Sequence, residues 1–211
     1  MPNAAPGPVD RVSARREQTR GAILEASWEL AAESGLDALS LREIGTRVGM
    51  RAPSLYSYFP SKAAILDAMF AQGYQALTAR VDTIEAGLPP DAPGRDRMAA
   101  LLRGWIGFCQ AHPARYRLMF TSAVPGWQPS PEAYTASLTS YERMRRYLTP
   151  AGVTEPADLD LATALGAGLI AQQMANDPDG DRWLRLVDDV VDMFVHHLAS
   201  RGTGRPTKET R

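Results

Sequence analysis

Between residue 14 and residue 200, apolar side chains recur almost everywhere at intervals of three and four, and no strand-like alternation rich in Val, Ile or Thr appears. That period belongs to a helix with one buried face, and its persistence excludes a sheet of any size. Breakers cut the pattern into segments. Ile23, Ala26, Leu30 and Ala31 form the first stripe, widened by Leu24 and Trp28, over roughly 14–34. Gly35 then supplies a stop. Ser40-x-x-Glu43 is a capping box that opens a short helix ending by Gly49. A third short segment starts two residues later with Pro53 in its first turn, where a missing N–H costs nothing. It closes at Phe59-Pro60. Ser61 caps a long helix over 61–86, carrying Ile65, Leu66, Met69, Phe70, Tyr74 and Leu77. Beyond Gly87–Gly94 the spacing predicts five more helices, at about 95–112, 113–122, 130–149, 157–176 and 180–200. The expected fold class is all-α with about nine helices; without strand–helix alternation, an α/β fold is excluded.

Composition narrows the function classes. The chain has 211 residues, 45% apolar and 22% charged, enough for a sizeable core. Its net charge of −1 requires any anion-binding surface to be local. One Cys makes no internal disulfide, and no Cys/His spacing suits zinc. No apolar run reaches the ~18–20 residues of a membrane span, and MPNAAPGPVD lacks the basic start and apolar stretch of a signal peptide. The expectation is a cytoplasmic protein with no membrane partner. Cys109 sits among aromatic residues as an inert buried thiol. His196 and His197 are helical neighbours that face different directions and cannot share a metal. Gly166-x-Gly168-x-x-Ala171 follows no strand, so it is no dinucleotide loop. Asp177, Asp179 and Asp181 lack the glycine placement and closing Glu of a calcium loop. Neither catalysis nor a cofactor or metal is expected.

Residues 40–62, SLREIGTRVGMRAPSLYSYFPSK, carry the strongest signal. Two short helices flank a tight turn at Gly49-Met50-Arg51, the helix-turn-helix arrangement whose second helix fits a major groove. Ser54, Tyr56, Ser57 and Tyr58 crowd hydrogen-bonding groups onto one short helix. Lys62 opens the next helix, where the dipole disfavours it unless an anion docks there. Residues 11–62 hold eight basic and six acidic side chains, and the rest of the chain is net negative. The competing reading is a helical hairpin whose Tyr side chains only pack.

Residues 16–70 resemble the DNA-binding domain of TetR/AcrR-family transcriptional regulators. The likeness is carried by Ile23-Leu24-Glu25-Ala26, Glu33-x-Gly35, Ser40-Leu41-Arg42-Glu43-Ile44, Val48-Gly49 and Ser54-Leu55-Tyr56-x-Tyr58-Phe59-x-Ser61-Lys62. It implies a dimeric, all-α, repressor-like protein, released from operator DNA by a small molecule. Three positions depart from the pattern. Ala31 stands where a large aromatic is usual, with Trp28 one turn earlier. Gly45 replaces an Ala inside the second helix, at a cost of up to ~1 kcal/mol. Arg51 replaces the Ser or Thr that commonly caps the recognition helix.

The expected DNA contacts follow. Tyr56, Tyr58 and Lys62 bind phosphate, with Ser40, Ser54 and Ser57 as further donors. Arg51 reaches a guanine or a phosphate, and Ala52 and Pro53 pack on a thymine methyl. Arg11, Arg15 and Arg16 are placed on backbone or minor groove. The expected organisation is an arm over 1–12, a three-helix helix-turn-helix domain over 13–60, a linking helix with a ligand-binding and dimerisation domain over 61–200, and a disordered tail over 201–211. The homodimer seam is assigned to Leu165, Leu169, Val187, Val191 and Phe194, with the monomer core competing for the same spacing. The pocket for an apolar effector is assigned to Trp105, Phe108, Met119, Phe120, Trp127, Tyr134, Tyr141 and Met144, with Gln172 and Gln173 as polar contacts, beside the helix of 61–86. The alternatives are a helical ligand-binding protein or enzyme with a vestigial helix-turn-helix, and a protein-binding module.

Overall fold

A computed structural model describes residues 8–201. Among these the chain forms nine α-helices and no strand: α1 (Pro8–Ser34), α2 (Leu41–Arg47), α3 (Ala52–Leu55), α4 (Lys62–Ala86), α5 (Gly94–Ala111), α6 (Pro113–Phe120), α7 (Pro131–Leu148), α8 (Pro156–Asn176) and α9 (Val187–Arg201). Four of them begin on a proline, which fixes φ for the first turn and gives up only an N–H that has no helical partner there.

Two of these boundaries correct the sequence reading. Residues 8–12, assigned to the arm, are the first turn of α1, which Pro8 can open at no hydrogen-bond cost. The rest of the arm and residues 202–211 lie outside the described residues. At the other end, α9 starts at Val187 rather than at 180. The cause is Gln173, whose side chain is fully buried. Its Oε1 accepts from the backbone N–H of Trp183 at 2.9 Å and of Leu184 at 3.2 Å. Its Nε2 donates to the carbonyls of Asp177 and Gly180. Gln110 adds bonds to the carbonyls of Pro178 and Gly180. The 177–184 backbone is thus satisfied as a turn and has no need of a helix.

The described chain divides into two compact units. One takes the residues up to Gly73 together with Ala114–Thr135. The other takes Tyr74–Pro113 and the residues from Ala136 on. Helices α4 and α7 therefore each run through both units as continuous helices. The first unit buries Ile23, Leu36, Ile44, Leu55, Phe59, Ile65 and Met69. In the second, α5 packs against α8 and α9 over Ile106, Leu159, Ile170 and Val187. No helix among the described residues is long and apolar enough to cross a membrane.

Candidate functional site

The helix-turn-helix is built from α2, a turn and α3. Ser40 sits in extended conformation before α2 and accepts from the Glu43 N–H at 3.2 Å, while its hydroxyl donates to the Glu43 carboxylate at 2.8 Å. The Ser40 half of the capping box is formed, while the Glu43 carboxylate bonds the Ser40 hydroxyl rather than its backbone N–H. Gly49 adopts φ +68°, a left-handed turn conformation that a side chain would strain. Arg51 caps α3 by backbone geometry alone, with no side-chain cap bond. The regular part of α3 lasts only one turn.

Helix α1 holds that short turn in place. Arg16 donates to the Ser57 carbonyl at 2.6 Å and lies over the Tyr58 ring at 5.1 Å. One turn on, Arg20 donates to the Tyr58 carbonyl at 2.6 Å and covers the Phe59 ring at 4.2 Å. Two charge-assisted bonds thus satisfy carbonyls that a one-turn helix leaves open, and two cation–π contacts seat its aromatic residues. Arg16, assigned to DNA from sequence, is committed to this clamp. Below α2, Arg47 bonds Glu33 at 2.6 Å and approaches Glu29 at 3.4 Å. The Arg47 guanidinium holds the Glu33 carboxyl below its ordinary range.

The assigned DNA-contacting residues fall into two groups. Arg51, Pro53, Ser54, Tyr56 and Ser57 are exposed. The side chains of Arg11 and Ala52 lie outside the described residues. Tyr58 is half-buried beneath Arg16, and Lys62 donates to the Asp37 carbonyl at 3.0 Å, so both carry an internal contact as well. The two clamp arginines were hidden from sequence reasoning. Their spacing of four in α1 is visible, but their target carbonyls are some forty residues away.

The C-terminal unit contains a cavity of about 50 Å³. It is lined from α5 by Met98, Leu101, Leu102 and Trp105, and from α7 by Met144 and Leu148. Helix α8 contributes Ala162, Leu165 and Gly166, and α9 contributes Val190, Val191 and Phe194.

This arrangement redistributes the assigned residues. Of the effector set only Trp105 and Met144 reach the cavity. Phe108 is buried in α5 and meets the His112 ring edge at 5.4 Å. Met119, Phe120, Trp127 and Tyr134 belong to the N-terminal unit. There Trp127 donates to Asp67 at 3.2 Å and packs edge-on to Phe70 at 5.9 Å, and the Met119 sulfur occupies the space a side chain at Gly73 would need. Tyr134 and Tyr141 are exposed, and Tyr141 faces Asp160. Gln172 is exposed and bonded to Asn176, and Gln173 is spent on the 177–184 turn. No residue of α4 lines the cavity.

The assigned dimer seam is also corrected. Leu169, Val187, Val191 and Phe194 are buried within the protomer, and Leu165, Val191 and Phe194 line its cavity. The competing core reading was the right one, because helical spacing identifies a face without saying what covers it. Cys109 is buried, and desolvation pushes its thiol up to about 12. It is therefore protonated and unreactive at neutral pH. Among the described residues no group of three His, Cys, Asp or Glu side chains is placed to hold a metal ion.

A braced helix-turn-helix followed by a larger helical unit with an apolar cavity defines a class, that of two-domain helical regulators. Residues 23–69 match the family profile of bacterial regulatory proteins, tetR family, and residues 98–198 match that of the tetracyclin repressor-like C-terminal domain. The chain belongs to the TetR family. It is 30% identical over 117 residues to the HTH-type transcriptional regulator Rv1816 of Mycobacterium tuberculosis, covering 56% of this chain and 50% of that one. It is 29% identical over 105 residues to the HTH-type transcriptional activator FasR of Mycolicibacterium smegmatis, covering 50% and 47%. A solved structure of a protein with unknown function from Rhodococcus sp. RHA1 superposes with a TM-score of 0.72 at 25% identity, over 85% of this chain and 95% of that one. The chain spans about half the length of the curated relatives it matches.

Proposed function

We propose that the protein is a sequence-specific DNA-binding transcriptional regulator, acting as a homodimer and released from its operator by a small apolar molecule. The observation that carries this reading is the exposed face of α3 and its following turn. Arg51, Ser54 and Tyr56 point outward there, on a backbone pinned by Arg16 and Arg20. A single unsupported turn is a poor reading head, and two arginine clamps from α1 give it fixed geometry.

The coupling follows from chain continuity. Met144 and Leu148 bring the end of α7 to the cavity, and the start of that same helix belongs to the unit carrying the helix-turn-helix. Asp67 accepts from the Ser130 N–H, just before α7, and from the Trp127 indole. A ligand that repositions α7 therefore acts on the DNA-binding unit through covalent structure. It shifts the equilibrium only by its differential affinity for the two states, and DNA weakens ligand binding by the same factor. Whether occupancy represses or activates depends on where the operator lies relative to the promoter, and FasR is named as an activator. A promoter-reporter strain with and without the protein reads that sign.

The experiment is a salt-dependent titration of DNA flanking the protein's own reading frame. Phosphate-driven binding weakens linearly in log–log coordinates. Lys62→Ala is expected to weaken specific and random DNA alike and to flatten the slope by about one unit. A slope and affinity unchanged on both DNAs would remove Lys62 from the interface. No binding to any duplex at low salt would defeat the functional reading.

A further inference from the structure

The cavity of the C-terminal unit has a chemical character that the family likeness does not supply. Eleven side chains and Gly166 line it; none is ionisable, none is a hydroxyl, amide or imidazole, and the Trp105 indole N–H is the one hydrogen-bond donor among those side chains. Several charged groups of the surrounding helices are paired with one another. Arg95 bridges Asp188 and Asp192, Arg103 pairs with Asp188, and Arg201 pairs with the buried Asp158. A carboxylate or ammonium carried into this space would lose its hydration and gain no counter-charge, an arrangement that proteins avoid.

The space is also small for a ligand, since pockets for drug-sized molecules run to ~300–1,000 Å³. Met98 and Met144 contribute to the wall from α5 and α7, and their unbranched thioethers rearrange at low cost. The third determinant is Gly166. A Cβ at this position would lie 3.0 Å from Cζ3 and 3.4 Å from Cε3 of Trp105, and 3.5 Å from Leu102. The Trp105 ring thus rests directly on bare α8 backbone.

We propose that this cavity takes an uncharged, hydrocarbon-rich molecule with at most a hydroxyl or carbonyl as its polar part, and that Gly166 sets the size limit by letting Trp105 lie against α8. This rests on reading the cavity as the effector site. Any larger residue at 166 drives the indole, or its own side chain, into the ligand's volume. Met144→Ala removes wall from the facing helix and enlarges the site.

The test uses the full chain without DNA, so it stands apart from the DNA-binding experiment. Neutral N-phenyl-1-naphthylamine is the fluorescent probe, and decanol, decanoate and decylammonium compete for it at pH 7.5. Decanol is expected to displace the probe at least 10-fold more effectively than either ion. Gly166→Ala should weaken probe binding about 3-fold or more, and Gly166→Leu should abolish it with the circular dichroism spectrum unchanged. Met144→Ala, which adds no bulk, should tighten a longer neutral alcohol relative to decanol. Decanoate competing as well as decanol would overturn the charge assignment. Undiminished probe binding in both Gly166 variants would overturn the size assignment. A Gly166→Leu protein that fails to fold leaves the Gly166→Ala and Met144→Ala shifts to decide it, and both unchanged would also overturn it. Gel shifts without ligand then report separately whether the DNA-binding reading holds.

Discussion

Arg51 differs from Lys62, Tyr58 and Ser57 in having no side-chain contact within the described residues. Lys62 donates to a carbonyl, Tyr58 lies under a guanidinium, and the Ser57 hydroxyl donates back to Ser54. The exposed Arg51 side chain has no such bond and makes no cap contact with α3. A Ser or Thr at that position would have spent its side chain on the helix end. The chain has exchanged a cap for a free planar fork of donors, which suits the adjacent acceptors of guanine. Arg51→Ala is accordingly expected to cost ~1–3 kcal/mol of discrimination at one base pair in each half-site, with folding unaffected. The measurement is selection of binding sites from a random pool by parent and variant. An unchanged logo, with affinity reduced on all sequences, would place Arg51 on phosphate.

At the scale of elements, the sequence located helices well and misjudged what they touch. Helices α4 to α8 start and stop within two residues of expectation, because Ser61, Pro113, Pro131, Pro156 and the glycine-rich breaks act locally. The start of α9 was not legible. It depends on one buried carboxamide, Gln173, reaching across seven to eleven residues to a turn that reads as helix by composition. The same limit misplaced the aromatic set. Met119, Phe120 and Trp127 look like pocket lining in a linear scan, yet they fall in the DNA-binding unit, Met119 buried and the other two half-buried, and the contacts of Trp127 with Asp67 and Phe70 are encoded by no local pattern. The glutamines provide a direct test. Gln173→Ala strands backbone donors of Trp183 and Leu184 and should cost about 1–3 kcal/mol. Gln172→Ala removes an exposed bond to Asn176 and should stay within about 0.5 kcal/mol. Urea titrations of the two variants measure the difference, and equal midpoints would show that the 177–184 turn is held by something other than Gln173.

For the whole molecule, one helix-turn-helix reads only a few base pairs, and a two-fold pair spaced one DNA turn apart, ~34–36 Å, doubles the site. With Leu169, Val187, Val191 and Phe194 buried inside the protomer, the proposed homodimer would have to pair through other residues. Among the outward residues of α8, Leu161, Ala164, Ala167, Gly168 and Ala171 form a mostly small-residue stripe that would admit another helix closely, and a Cβ added at Gly168 would meet nothing within 4 Å. On α9, Met193 is 69% exposed, and Leu186 just before the helix is 38% exposed. These exposed apolar side chains are the first candidates for the proposed pairing surface. The two sets of residues predict opposite failures. Met193→Glu combined with Ala171→Glu should leave the protomer folded, with parental helicity and melting close to that of the separated chain. It should also shift the protein from dimer to monomer at micromolar concentration in sedimentation velocity. Operator binding should fall steeply, since each monomer engages one half-site, while weak salt-sensitive binding to random DNA persists. Val191→Glu should instead destabilise the protomer itself, by placing a charge in its core beside the cavity. If the Met193/Ala171 pair sediments as an unaltered dimer, the seam lies elsewhere on the unit, and the exposed Leu138 of α7 becomes the next residue to substitute.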